Sequence, residues 1–134
     1  MVPSLGSRGT NSFKTLIVED NAFFRQSFKD TLQTRFPLMT IEEIGDGNQV
    51  LQRVETFLPH LIFMDIRLPG ENGLHLAKKV KVSYPNIFIT ILTSHNSPEY
   101  REAAFQAGAN RFMAKDSLNW DEIETLVRSL PHLT

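Results

Sequence analysis

An α/β domain, with one parallel sheet and helices on both of its faces, is the fold class this chain predicts. Three observations predict it. Leu61-Ile62-Phe63-Met64 is a continuous apolar run that ends on Asp65 and then on the turn residues Pro69-Gly70 and Gly73. Such a run reads as a strand buried on both sides, the position strands take in a parallel sheet. Strand and helix signals then alternate from Phe13 to Leu130 as five β-α pairs, the pattern of a sheet covered by helices. Finally, three more strand-like runs also end on polar or charged residues: Thr15 to Val18 on Glu19-Asp20, Ile87 to Leu92 on Thr93-Ser94, and Arg111 to Ala114 on Lys115. Parallel strands share one carboxyl edge, where open α/β sheets place their ligands, so residues far apart in sequence converge there.

Taken in order, Met1 to Ser12 is rich in Gly, Ser, Thr and Asn without an apolar period and reads as a flexible leader or as residues appended to the native sequence. The domain proper is expected over 13–134. Asn21 to Phe36 carries Phe24, Phe28 and Leu32 at fourfold spacing with Arg25, Lys29 and Arg35 between them, an amphipathic helix. Leu38 to Ile44 alternates as a half-exposed edge strand does. Gly45-Asp46-Gly47-Asn48 is a turn and Gln49 to Phe57 a short helix. Leu74 to Tyr84 reads as a helix stopped by Pro85. Ser97-Pro98 opens the next, with serine as N-cap and proline at the first position, and Gly108 suits the left-handed residue that closes it. Asn119 with Glu122 resembles a capping box opening the last helix, which ends before Pro131.

Composition excludes several classes. One domain fits 134 residues. A formal net charge of −1 gives no basic face for nucleic acid. Zero cysteines rule out a disulfide scaffold and thiolate metal ligands. No apolar stretch approaches the ~20 residues of a membrane span, and no signal peptide opens the chain. A cytoplasmic location without membrane contact is expected.

Glu19-Asp20, Asp65 with Pro69-Gly70 and Gly73 behind it, Thr93, and Phe112 three places before Lys115 together resemble the receiver domain of two-component response regulators. The resemblance covers Phe13 to Leu130. It implies the flavodoxin-like strand order 2-1-3-4-5, for which a member of the same family is a stock example. From Ala107-Gly108-Ala109 through Lys115-Asp116-Ser117 the chain is most similar to receivers of LuxR/FixJ-type transcriptional regulators. Two departures stand out. Phe112 replaces a frequent tyrosine, removing a hydroxyl that could anchor a switch. Asp116 replaces a frequent proline after the lysine, which removes the usual reason for a cis peptide.

The resemblance implies a phosphoacceptor switch. A carboxylate is a competent nucleophile toward phosphorus, and phosphoryl transfer is catalysed mainly by positioned charge. Asp65 is the expected acceptor and the cofactor is Mg2+, which keeps waters and takes few protein oxygens. Asp20 is the expected direct ligand, Glu19 holds a metal-bound water, Asp65 contributes an oxygen and Arg67 its backbone carbonyl. Lys115 pairs with a phosphoryl oxygen and Thr93 donates its hydroxyl to another. Thr93 moving inward lets Phe112 rotate from exposed toward buried, altering the face of the fourth helix, fifth strand and fifth helix, near Tyr100 to Gln106, Arg111 to Phe112 and Trp120 to Leu130. Arg67 and His95 lie where the family tunes hydrolysis, and Ser94 is small enough to leave the site accessible. A sensor histidine kinase or phosphotransfer protein is the implied phosphodonor. A phosphorylation-dependent homodimer is left open. Beyond its own phosphorylation and dephosphorylation no enzyme activity is expected, and a transcriptional output domain would lie beyond Thr134.

Each residue also has a plainer reading. Asp20 suits a helix N-cap, Lys115-Asp116 a solvated loop pair, Thr93-Ser94 a strand exit, and Asp65 simple turn chemistry. His60, His75 and His132 lack metal spacing and read as surface or loop residues. Phe23 is either a contact for a kinase partner or core packing. The alternative function is a phosphorylation-independent receiver-like binding module. A phosphatase of the haloacid dehalogenase type would need an acid where Arg67 stands, and a flavodoxin would need a hydroxyl- and glycine-rich phosphate loop.

Overall fold

The computed structural model describes residues 13–131. The expected leader, Met1 to Ser12, and His132 fall outside the described residues. Five strands form one parallel sheet: β1 (Lys14–Val18), β2 (Thr40–Ile44), β3 (Leu61–Met64), β4 (Phe88–Thr93) and β5 (Arg111–Ala114), in the order β2-β1-β3-β4-β5. The helices between and after them are α1 (Ala22–Arg35), α2 (Val50–Phe57), α3 (Gly73–Ser83), α4 (Pro98–Gln106) and α5 (Trp120–Ser129). The expected fold class and strand order are therefore both present.

Alternation along the strands divides the core in two. Leu16, Val18, Ile62, Met64, Ile89, Ile91 and Phe112 face one way, onto Val50 and Val54 of α2, Leu76, Ala77 and Val80 of α3 and Ala104 of α4. Ile17, Leu61, Phe63, Leu92 and Met113 face the other, onto Phe28 and Leu32 of α1 and Ile123, Leu126 and Val127 of α5. The central strand β3 is buried at every position, as its unbroken apolar run requires. Burying such a side chain contributes roughly 1.5–3 kcal/mol, which fixes the register: Val18 pairs with Met64, Met64 with Ile91, and Thr93 with Ala114. A slip of one residue would turn every one of these side chains to the wrong layer. Register alone thus sets Glu19 beside Asp65 and places Lys115 one residue past the pair formed by Thr93.

The element starts follow from local chemistry, with two corrections at helices and one at a strand. Asn21, not Asp20, caps α1: its Oδ1 accepts from the Phe24 N–H at 2.9 Å, so the plainer reading of Asp20 falls away. Asn119 caps α5 and accepts from the Glu122 N–H, but the Glu122 carboxylate turns to Arg111 at 2.7 Å instead of closing a capping box. The edge strand β2 starts at Thr40 rather than Leu38, whose side chain is 82% exposed beside Pro37. Ser97 caps α4 with Pro98 at its first position, and Gly108 takes φ +102° after its end, both as expected. Phe23 is 87% exposed, which removes the core-packing reading of that residue. His75 is exposed; His60 is half-buried, stacked on Phe13, with its Nδ1 accepting from the Lys14 N–H. No peptide bond among the described residues is cis.

Candidate functional site: an acid–lysine cluster at the carboxyl edge

The strand ends deliver their residues to one place. Asp65 leaves β3 almost fully buried, with its Oδ1 accepting from the Ile66 N–H at 2.6 Å and its Oδ2 accepting from Lys115 Nζ at 2.8 Å. The same ammonium lies 2.6 Å from Glu19 Oε1, while Glu19 Oε2 accepts from the Asn21 N–H at 2.9 Å. Lys115 is therefore not a solvated loop lysine. Its neighbour Asp116 is exposed and takes no part in the cluster. Glu19, Asp20 and Asp65 each offer an oxygen within 4.8 Å of the others, and of the three only Asp20 is exposed.

One ammonium shared by two buried carboxylates leaves an electrostatic deficit. Burial pushes the Glu19 carboxyl above its usual range, and the charge of Asp65 adds to this; the hydrogen bonds from Lys115 and Asn21 offset only part. Lys115 goes the other way. Burial disfavours its charge, but the bonds and charges of Asp65 and Glu19 together outweigh that and hold the ammonium above its usual range. The cluster as built is short of positive charge and open to water on the Asp20 side, and all its donors are hard oxygens. That is the donor set a small divalent cation such as Mg2+ takes.

Two supports escaped the sequence reading. Arg25, assigned there to a solvated helix face, donates from Nη1 to the Glu19 carbonyl at 2.5 Å and from Nε to Glu43 at 3.0 Å, pinning the end of β1. Lys29 joins it on Glu43 at 2.8 Å. Arg25 and Lys29 stand four residues apart, one helical turn, and Glu42-Glu43 on the edge strand was the available signal. Phe24 lies under Lys115, its ring centre 4.6 Å from Nζ, a cation–π contact that fixes the lysine from below. Gly73 forms the floor: its N–H bonds to the Ile66 carbonyl at 2.7 Å, and a Cβ there would collide with the Asp65 carbonyl oxygen.

The remaining expected residues surround this centre. Thr93 is buried at the end of β4, and its Oγ1 accepts from the His95 N–H at 3.1 Å, leaving the hydroxyl proton to be given elsewhere. Ser94 is exposed. Arg67 is exposed, and its Nη2 donates to the Tyr100 hydroxyl at 2.9 Å. Phe112 corrects an expectation. It is 6% exposed, already packed in the layer with Ile91 and Ala104, with the Arg101 guanidinium 5.0 Å from its ring centre. The reason is its pairing with Ile91, which directs it into the sheet layer covered by α4.

Fold and site together define a flavodoxin-like α/β domain with three acids and a lysine gathered at the sheet's carboxyl edge. The chain belongs to the response regulator receiver domain family, which matches residues 15–128; domains of this family serve as phosphoacceptors in two-component signalling. It is 26% identical over 116 residues to the transcriptional regulatory protein YxjL of Bacillus subtilis, covering 87% of this chain and 53% of that protein. It is 31% identical over 103 residues to the DNA-binding transcriptional activator DevR/DosR of Mycobacterium tuberculosis, covering 77% and 48%. The chain thus spans about half the length of such relatives. Among solved structures it is similar to a LuxR-family DNA-binding response regulator from Staphylococcus aureus, with TM-score 0.79 at 22% identity, covering 87% of this chain and 97% of that one. The BeF3-activated receiver domain of Klebsiella pneumoniae RstA gives TM-score 0.80 at 22% identity, covering 88% and 98%. No helix among the described residues is long and apolar enough to cross a membrane.

Proposed function

We propose that this domain is a phosphoacceptor switch in which Asp65 takes a phosphoryl group from the phosphohistidine of a sensor kinase or phosphotransfer protein. The observation that carries this reading is the Lys115 ammonium joining Asp65 and Glu19 at 2.8 and 2.6 Å, with Asp20 beside them. A carboxylate oxygen of Asp65 attacks phosphorus, the bond from phosphorus to the donor imidazole breaks, and the imidazole keeps the electron pair. Lys115, already on Asp65, lies where charge grows on the phosphoryl oxygens, and the free Thr93 proton has an acceptor there. Glu19, Asp20, Asp65 and the Arg67 carbonyl are the oxygens that would hold Mg2+, which when bound neutralises charge on the transferring group.

The output face is α4, β5 and α5. Because Phe112 is already inward, the switch in this chain consists of Thr93 and the contacts α4 makes through Arg101, not a swing of the ring from solvent. Phe23, exposed at the start of α1 three residues from Asp20, is a contact for the kinase or phosphotransfer partner. A cytoplasmic setting and a transcriptional output in the full-length protein go with this reading.

Intact mass after incubation with acetyl phosphate tests it, with and without Mg2+, on this chain and on Asp65→Asn. One Mg2+-dependent phosphoryl adduct, labile to hydroxylamine and absent from the variant, is expected. No adduct from either acetyl phosphate or a phosphorylated kinase, under conditions that label a control receiver, would overturn the reading in favour of a phosphorylation-independent binding module.

A further inference from the structure

Arg67 stands two residues past Asp65, on the loop that forms the rim of the site. Among the described residues it makes no ion pair. Its Nη2 instead donates to the hydroxyl of Tyr100, in the first turn of α4, at 2.9 Å. The phenol is held from a second side by His95, whose ring centre lies 5.8 Å away at 49°. Arg67 and Tyr100 both line the open cleft that contains Asp20. A phosphoryl group on Asp65 would offer this guanidinium a stronger partner than the phenol, because its planar fork matches phosphate oxygens.

We infer that Tyr100 is a positioning residue for the aspartyl phosphate, acting through Arg67: its hydroxyl holds the guanidinium aside and so keeps the phosphoryl group open to water. The inference rests on Asp65 being the acceptor. Hydrolysis brings a water oxygen to phosphorus and breaks the bond from phosphorus to the Asp65 oxygen. The carboxylate leaves with the electron pair, and the water protons pass to phosphate and solvent. A phosphoryl group carries roughly two negative charges, enough to compete for Arg67. With Tyr100 holding it, the approach for water stays clear. Released, the guanidinium lies across the phosphoryl oxygens and obstructs that approach. The bond also ties the acceptor loop to α4 by a route separate from Thr93. A partner that moves α4 therefore changes the lifetime of the phosphoryl group, and phosphorylation changes the hold on α4 in return.

The test is the decay of the intact-mass phosphoryl adduct after removal of acetyl phosphate, for the parent, Tyr100→Phe, Arg67→Ala and the double variant. Tyr100→Phe keeps the ring and its packing and removes only the acceptor. It is expected to lengthen the lifetime roughly threefold to tenfold, the range that the net strength of one ordinary hydrogen bond supports. In the Arg67→Ala background the same substitution is expected to do nothing, a coupling that a general loosening of α4 would not produce. A Tyr100→Phe lifetime equal to or shorter than the parent's overturns the inference, as does an equal effect with and without Arg67. A shift in the Arg67 Nε–H NMR resonance on Tyr100→Phe, in unphosphorylated protein, is the independent readout; no shift also overturns it. If the parent itself takes no phosphoryl group, the proposed function falls and this inference with it. If the parent labels and decays but Tyr100→Phe behaves identically, only this inference falls.

Discussion

Replacing Lys115 by Met isolates the charge it supplies, since the unbranched stem still packs on Phe24 while the ammonium is gone. Glu19 and Asp65 are then left 3% and 6% exposed without their shared cation. Removing one member of a buried ion pair costs about 3–5 kcal/mol. Protonation limits that cost. Glu19, raised above 4.5 in the parent, rises further in the variant. A carboxyl whose folded pKa is raised contributes its full stability below its unfolded value and loses it as pH climbs through the folded value. Holding Glu19 protonated costs about 1.4 kcal/mol per pH unit above 4.5, so the loss is capped near 0.7 kcal/mol at about pH 5 and near 5 kcal/mol at about pH 8. The expected loss is below about 1 kcal/mol at about pH 5 and about 3 kcal/mol at about pH 8. Urea unfolding in the presence of a metal chelator, followed by the fluorescence of Trp120, measures it. With a slope near 1.5–2 kcal/mol per molar, the midpoint at the higher pH falls by roughly 1.5–2 M. A loss that is the same at both pH values would refute the reasoning, because packing rather than charge would then be what Lys115 supplies.

Other substitutions check other parts of the argument. Gly73→Ala drives a methyl into the Asp65 carbonyl oxygen and is expected to cost about 1–3 kcal/mol in a thermal melt and to slow phosphorylation of Asp65; unchanged melting would show that the loop yields. Glu43, bonded by Lys29 and Arg25, has a carboxyl held below its usual range despite partial burial. Glu43→Gln should therefore cost about 0.5–1 kcal/mol at neutral pH, after allowing for solvent screening. That difference fades as pH falls from 4.5 through the lower folded pKa, since a depressed carboxyl stabilises only while ionised, and urea midpoints across that window are the measurement. Phe23→Ser should leave stability within about 0.5 kcal/mol while lowering the rate of phosphotransfer from a kinase but not from acetyl phosphate; equal rates from both donors would remove Phe23 from the partner surface.

What the sequence showed clearly was whatever is written along a strand. The apolar run at Leu61 to Met64 implied a central buried strand, and the polar residues at four strand ends implied a shared edge. Both are local signals that parallel pairing turns into geometry. Less legible were choices made by contacts across the fold. Asn21 and Asp20 are equally good caps by type, and only the path of the chain gives the role to Asn21. Glu122 has the spacing of a capping box, yet Arg111, eleven residues earlier and on β5, takes its carboxylate. Phe112 looked like a ring free to swing because its partners, Ile91 and Arg101, come from two other elements. Arg25 was hidden for the same reason: its value lies in the Glu19 carbonyl it reaches, and no periodicity announces a side chain bonded to a backbone oxygen.

The bond between Lys115 and Asp65 closes a separation of 50 residues, and this gives the site a place in time as well as in space. A ribosome lengthens the chain from its amino end at about 5–20 residues per second. For roughly 3–10 seconds after Asp65 is made, the nascent chain carries both acids and lacks the ammonium that joins them. During that interval β5 is not yet there to pair with β4, and the two carboxylates have no lysine between them. Docking of β5 therefore completes the sheet and the acid–lysine cluster in one step.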